Sequence, residues 1–267
     1  MELYIRHWEL QRVAFWARQV LGASTLGFAL VCVSACSGNT ERTSECTLES
    51  DDLEAHITGR WPVTPIPVAL QAASGFTASE IDALDRAVQI WNEFYFSSKG
   101  FSVLQSSDEG SVFVSNAALP DEVLANGLIS NGSFINPVVI FKQTDWPASY
   151  GEKEIARTTT VNNIGEDLPV TTTGVLELNY EFFFSVGQKQ PDLETILVHE
   201  LGHLIGLKHS CGDPGQPGCG GSSRDILQAV MFPGVNFSAS SSDANTLTGE
   251  VRTTLNSNDQ GRANCIY

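Results

Sequence analysis

The chain has 267 residues, with 31 Asp and Glu against 15 Lys and Arg, and a formal net charge of −16 at pH 7. This excess of negative charge repels nucleic acid and anionic lipid, so it argues against a protein that binds DNA, RNA or bare membrane. Roughly 210 residues follow a basic and apolar leader and a polar stretch, which is enough for one well-packed domain.

The leader, residues 1–36, predicts export. An apolar run at 20–35 follows a segment that contains Arg6, Arg12 and Arg18, as in a long secretory signal; a single membrane anchor is the alternative. The end of the run, at Cys36, resembles a bacterial lipoprotein signal, in which cleavage precedes a lipidated cysteine. Ordinary cleavage nearby, with Cys36 in a disulfide, stays open. We expect a protein that is lipid-anchored to the cell envelope or secreted, with contact to membrane only through the lipid.

The next residues, 37–60, are polar and predict a tether, so the domain is expected at 61–267. Its first strand is predicted at 62–70, where apolar residues alternate. Thr77 to Glu80 form a capping box, and apolar residues at helical spacing then predict a long helix to about Phe96.

Further strands are predicted before a second helix. They lie at 101–105, 111–115, 138–142, 154–161 and 174–180, with an exposed Gly- and Asn-rich loop at 126–136. Pro191 at a first helical position opens the second helix, which ends at Gly206.

This second helix contains a metal-site motif, H-E-L-G-H-L-I-G-L-K-H, at 199–209. His199 and His203 are four residues apart, so they share one face of the helix. Gly206 can leave the helix with a positive φ, which brings His209 back as a third ligand. Glu200 lies beside the metal, where it can take a proton from water and return it to a leaving amine. Three protein ligands leave a fourth position open, which is typical of catalytic zinc.

The motif and the later segment Ala229-Val230-Met231-Phe232-Pro233-Gly234 resemble the zinc peptidases called metzincins, whose pattern H-E-x-x-H-x-x-G-x-x-H precedes a methionine turn. Ser210 and Phe232-Pro233 are most similar to the matrixin branch. The resemblance implies an α+β fold with a twisted, mostly parallel sheet of about five strands and two long helices. It also implies a C-terminal subdomain with the methionine turn, in which Met231 packs beneath the imidazoles, and a closing helix at 258–265.

The resemblance further implies how substrate and cofactors bind. Strand 154–161, with Ile155, Arg157 and Thr159, would be the sheet edge that pairs with a peptide or protein substrate in extended form. The loop at 234–248 would shape the specificity pocket. One catalytic Zn²⁺ is expected in a monomeric protein; the acidic composition also admits calcium, but no ligands for it can be assigned.

The cysteines mark a departure from the family. With Cys32 and Cys36 assigned to the signal, four remain, and they allow three pairings. We favour Cys211 with Cys219, inside the long 21-residue connection from His209 to Met231, and Cys46 with Cys265, joining the ends of the domain. A second, structural zinc is not expected, because only two other histidines are present.

The predicted function is a zinc-dependent endopeptidase with Glu200 as general base and acid. The alternative is a cell-surface adhesin or binding module that uses the same scaffold with little catalysis. Glu200 argues against that alternative, because a purely structural zinc site has no use for a base. A zinc hydrolase with non-peptide substrates has less support.

Overall fold

The computed structural model describes residues 45–50, 52–105, 113–117, 119–165, 167–185, 188–211, 222–239 and 247–267. They form a mixed α+β fold and belong to one compact unit, Thr40–Tyr267. The helices are α1 (Leu53–His56), α2 (Ala78–Lys99), α3 (Pro120–Asn126), α4 (Leu193–Ile205), α5 (Arg224–Leu227) and α6 (Ser257–Ala263). The strands are β1 (Ile66–Gln71), β2 (Leu104–Gln105), β3 (Phe113–Ser115), β4 (Ile129–Ser130), β5 (Ser133–Phe134), β6 (Val138–Gln143), β7 (Ala156–Asn163), β8 (Val170–Asn179), β9 (Lys189–Gln190), β10 (Phe237–Ala239) and β11 (Leu247–Gly249).

The main sheet confirms the predicted mostly parallel arrangement. Its order is β2-β1-β6-β8-β7, and β3 also pairs with β1. Strands β1, β2, β3, β6 and β8 pair in parallel, whereas β7 runs antiparallel to β8 and ends the described sheet. Among the described residues, no strand pairs with the outer side of β7.

Two tryptophans tie the second long helix, α4, to the rest of the core. Trp61 Nε1 donates to Leu204 O at 2.7 Å, and Trp91 Nε1, on α2, donates to Val198 O at 2.9 Å. Both side chains are fully buried, so each bond is formed in a low-dielectric environment where it is strong. Among the described residues, no helix has both the length and the apolar character needed to cross a membrane.

Several predicted boundaries were wrong for identifiable reasons. The first strand begins at Ile66 rather than 62, because the chain bends at residues 62–65, two of which are prolines with a fixed φ. Helix α4 begins at Leu193, after Pro191, because Asp192 is the N-cap and accepts hydrogen bonds from Thr195. The region predicted as an exposed loop at 126–136 contains the hairpin β4–β5, preceded by α3.

Part of the segment predicted as a tether packs on the domain. Ile57 is 2% exposed and pairs with Leu207, and Lys208 N donates to His56 O at 2.9 Å. Cys46 forms the predicted disulfide with Cys265. The lipidation candidate Cys36 lies outside the described residues.

A partly buried ionic cluster anchors the start of α2 to the sheet. Glu80 accepts from Lys142 Nζ at 2.6 Å, from Tyr180 Oη at 2.5 Å and from Thr77 N at 2.6 Å. Burial alone would raise the pKa of Glu80, but these hydrogen bonds outweigh it and lower the pKa to about 2.

Protonation of Glu80 should therefore destabilise the fold. A depressed folded-state pKa contributes stability above the unfolded pKa, and that contribution is lost as pH falls from about 4.5 toward about 2. We expect Glu80→Gln to lower the free energy of unfolding at pH 7 by roughly 2 kcal/mol and to flatten its decline between pH 5 and pH 3. Urea unfolding across that range measures both effects. Glu93→Gln, an exposed change on the same helix, is the control; equal curves for the two variants would contradict the prediction.

Candidate metal centre

Three histidines converge at one end of α4. Nε2 of His203 lies 3.0 Å from Nε2 of His199 and 3.1 Å from Nε2 of His209. His199 and His203 come from one face of α4, and His209 from the chain that turns back after it. Among the described residues, this is the one group of His, Cys, Asp or Glu side chains arranged to hold a metal ion.

The outer nitrogens of two rings fix their tautomers. His199 Nδ1 lies 2.7 Å from Val230 O, and His203 Nδ1 lies 2.7 Å from Leu207 O, so both Nδ1 atoms donate to carbonyls. In a neutral ring whose Nδ1 carries the proton, Nε2 holds a lone pair. Two such acceptors 3.0 Å apart repel each other unless a cation lies between them. The site therefore fits a metal ion.

Burial keeps the first ligand in its metal-binding form. Burial, and then the neighbouring imidazoles His203 and His209, lower the pKa of His199 well below its ordinary value. A neutral imidazole is the form that binds a metal.

Gly206 turns the chain toward the third histidine. Its φ is +130°, and its N–H donates to carbonyls of the last turn of α4, Gly202 O and His203 O. A Cβ at Gly206 would overlap Gly59 O of the N-terminal segment. Glycine is thus required here for both the backbone angle and the close approach.

The segment around Met231, residues 229–234 (the methionine segment), packs against α4 next to the histidines. Met231 is fully buried, and its Sδ lies so close to the Gly202 backbone that a Cβ there would overlap it. The carboxylate of Asp259, on α6, accepts from Val230 N at 2.8 Å and from Met231 N at 3.1 Å. Because Val230 O receives the Nδ1–H of His199, this carboxylate fixes the orientation of that ligand.

Arg262, a buried arginine on α6, supports the backbone that carries His209. Arg262 is 2% exposed, and its Nη1 donates to Lys208 O at 3.0 Å and His209 O at 3.3 Å. Its other Nη lies 3.8 Å from Asp259, whose charge compensates it. Helix α6 therefore positions both the methionine segment and the third histidine.

Glu200 lies beside the triad without being part of it. Its side chain is 6% exposed, and the Thr158 hydroxyl, on β7, lies 2.8 Å from its Oε2. Burial raises the pKa of Glu200 to about 7, with a further increase from Glu154, against the opposing hydrogen bond from Thr158. A carboxylate with this pKa can both accept and return a proton near neutral pH.

An open cleft passes over the triad and is bounded by β7 on one side. Of the three residues predicted for the substrate-binding strand, Ile155 and Arg157 line the cleft and Thr159 does not, and Ile155 precedes the strand. Thr158 and Thr160 line it instead. Alternate strand residues point to opposite faces, and the face toward α4 holds these two threonines.

Comparison with models of known protein families gave no match to this chain. Comparison with curated proteins gave none either. The chemistry of the site therefore rests on its own geometry.

Three residues of the site escaped prediction. Thr158 lies in an entirely polar stretch, so no apolar alternation marks which side faces α4. No role was predicted for Asp259 or Arg262, and both side chains are buried. A carboxylate three residues after Asn256 is a capping signal that could have placed Asp259 at the helix start, but not against Met231.

The cysteines near the site are only partly described. Cys211 is disulfide-bonded, whereas its predicted partner Cys219 and the rest of 212–221 lie outside the described residues.

Residues C-terminal to the histidines also line the cleft: Val230, Phe232 to Val235 and Phe237. The predicted pocket loop is described at its two ends, where β10 and β11 pair.

Proposed function

We propose that the protein is a zinc-dependent endopeptidase of the metzincin type, similar to the matrixins. The observation that supports this most is a buried carboxylate, Glu200, next to three convergent imidazoles at the floor of an open cleft. The sheet with its end strand β7, the turn at Gly206 and the buried Met231 agree with that family's arrangement.

Three histidine nitrogens form a ligand set that suits zinc. Tetrahedral zinc with bonds of about 2.0–2.1 Å separates its nitrogen ligands by about 3.3 Å. The Nε2 separations of 3.0 and 3.1 Å are close to that value. Once bound by His199, His203 and His209, zinc would polarise the scissile carbonyl and make water more acidic.

Glu200 would transfer a proton from the attacking water to the leaving amine. Its carboxylate accepts a proton from the attacking water and then donates that proton to the nitrogen of the leaving amine. Thr158 holds Oε2 in place, so the carboxylate does not need to reorient during the reaction. The outer side of β7 would bind the peptide main chain in extended form, beside Glu200.

We also propose that the protein acts outside the reducing cytoplasm. The Cys46–Cys265 disulfide supports this, because such bonds persist in oxidising compartments. Export through the leader, with or without a lipid on Cys36, is consistent with that bond.

Metal removal tests the proposed activity. We expect the purified protein to cleave members of a random peptide library, and 1,10-phenanthroline to abolish cleavage because it removes zinc from the histidines. The isomer 1,7-phenanthroline, which does not chelate, is the matched control. Mass spectrometry of the products gives the cleaved bonds, and elemental analysis gives the metal lost and regained. Cleavage that continues in the metal-free protein would refute the proposal.

A further inference from the structure

The cleft concentrates positive charge in an acidic molecule. Among the described residues, five Lys and Arg side chains line it, against three Asp and Glu side chains, although the chain as a whole has 15 basic and 31 acidic residues. One of those three carboxylates is Glu200, which faces the metal site. The basic residues are Lys153, Arg157, Lys189, Lys208 and Arg252.

The two arginines are already engaged. Arg157 forms a two-pronged ion pair with Glu154, with both N···O distances at 2.9 Å. Arg252 is paired with Glu250 and donates to Gly234 O at 2.6 Å. These arginines shape the walls, and carboxylates of the protein neutralise their charge.

Unlike the two arginines, the three lysines of the cleft are not neutralised by carboxylates among the described residues. None of the three forms an ion pair with a carboxylate in the described part of the chain. Lys208 Nζ donates to a neutral carbonyl, Glu54 O, at 2.5 Å, and Lys189 Nζ lies 5.1 Å from the Phe237 ring centre. Lys153 and Lys189 are exposed, so their charges remain available to a ligand.

These three lysines line the cleft from three separate parts of the chain. Lys153 precedes β7, Lys189 lies in β9 before α4, and Lys208 is adjacent to the ligand His209. They are three of only five lysines in the chain. A peptide bound along the cleft would therefore meet lysine side chains from more than one part of the lining.

We propose that the cleft selects peptide segments with Asp or Glu close to the scissile bond. The inference rests on the proposed peptidase function and names its substrate class. An acidic side chain gains attraction from the unpaired lysines, while the acidic surface elsewhere repels it and so favours binding in the cleft. A basic peptide would be drawn to the rest of the surface instead.

Three peptide mixtures test this selection. They share a randomised central pair of residues and differ only in two flanking positions on each side, which hold Glu, Gln or Lys. At low salt we expect kcat/KM to be about five- to tenfold higher for Glu than for Gln, and lower again for Lys. In 0.5 M NaCl the preference should fall below about twofold, because salt screens exposed charges.

Charge reversal in the protein gives the matched variants. The double variant Lys153→Glu/Lys189→Glu should reverse the order of the mixtures, whereas Arg60→Glu, an exposed change outside the cleft lining, should leave it unchanged. Lys208 is left intact because it adjoins a metal ligand. Fluorescence anisotropy with the Glu200→Gln variant measures dissociation constants for the same mixtures, so the preference is tested even without turnover.

The outcomes separate the two proposals. Equal affinities for the Glu and Gln mixtures, or a preference for Lys, would overturn the acidic selection even if chelator-sensitive cleavage is present. An acidic preference in binding, without hydrolysis by the wild type, would support the selection and refute the peptidase.

Discussion

Replacing Glu200 by Gln is expected to lower kcat for peptide hydrolysis by roughly 10²–10⁴-fold while leaving bound metal unchanged. The amide keeps the size of the carboxylate but cannot accept the proton of the attacking water. The rings of His199 and His203 are held by backbone carbonyls, so neither needs the Glu200 carboxylate to keep its position. The loss should therefore appear in turnover and not in metal content.

The measurement pairs steady-state kinetics with elemental analysis. Glu194→Gln is the matched control, because it makes the same change on the same helix at a residue that pairs with Arg86 outside the cleft lining. Hydrolysis by the Glu200 variant within tenfold of wild type would exclude Glu200 as the base. A wild-type protein that binds peptides and releases no products would favour the adhesin alternative.

Replacing Asp259 by Ala is expected to cost about 3–5 kcal/mol of folding free energy and to weaken metal binding about 10- to 100-fold. The change leaves the N–H groups of Val230 and Met231 without their acceptor and the buried charge of Arg262 without compensation. Because Val230 O orients His199, a shift of the segment around Val230 and Met231 would also displace the His199 ring.

Urea unfolding of the metal-free protein and a competitive metal titration separate the two effects. Asp259→Asn keeps one acceptor oxygen and the side-chain shape, so it should lose less folding free energy and less metal affinity than Asp259→Ala. Asp82→Ala removes an exposed acid on α2 and is expected to change neither. Metal affinity equal to wild type in a folded Asp259→Ala protein would show that the methionine segment does not depend on α6.

The ligand triad could be predicted from the sequence because its geometry is local. Helical spacing places His199 and His203 on one face, and a glycine seven residues after the first histidine provides the turn to His209. The helix caps at Thr77 and Asn256 likewise have short-range signals, and α2 and α6 form as expected within a few residues.

The supporting contacts are long-range, which is why local patterns could not predict them. Thr158 reaches Glu200 across 42 residues, and Asp259 reaches Val230 across 29. Which strand residue faces a helix depends on sheet order and register, and neither is encoded in a short polar stretch such as β7. The segment before Trp61 looked like a tether because its few apolar residues, among them Ile57, show no periodicity.

The disulfide between Cys46 and Cys265, which have a sequence separation of 219, closes a covalent ring around almost the whole domain. A single cut in the backbone anywhere inside that ring would open it without releasing either fragment. If the protein cleaves itself, the nicked molecule would keep its full mass until the disulfide is reduced, and gel electrophoresis with and without a reductant would distinguish the two forms.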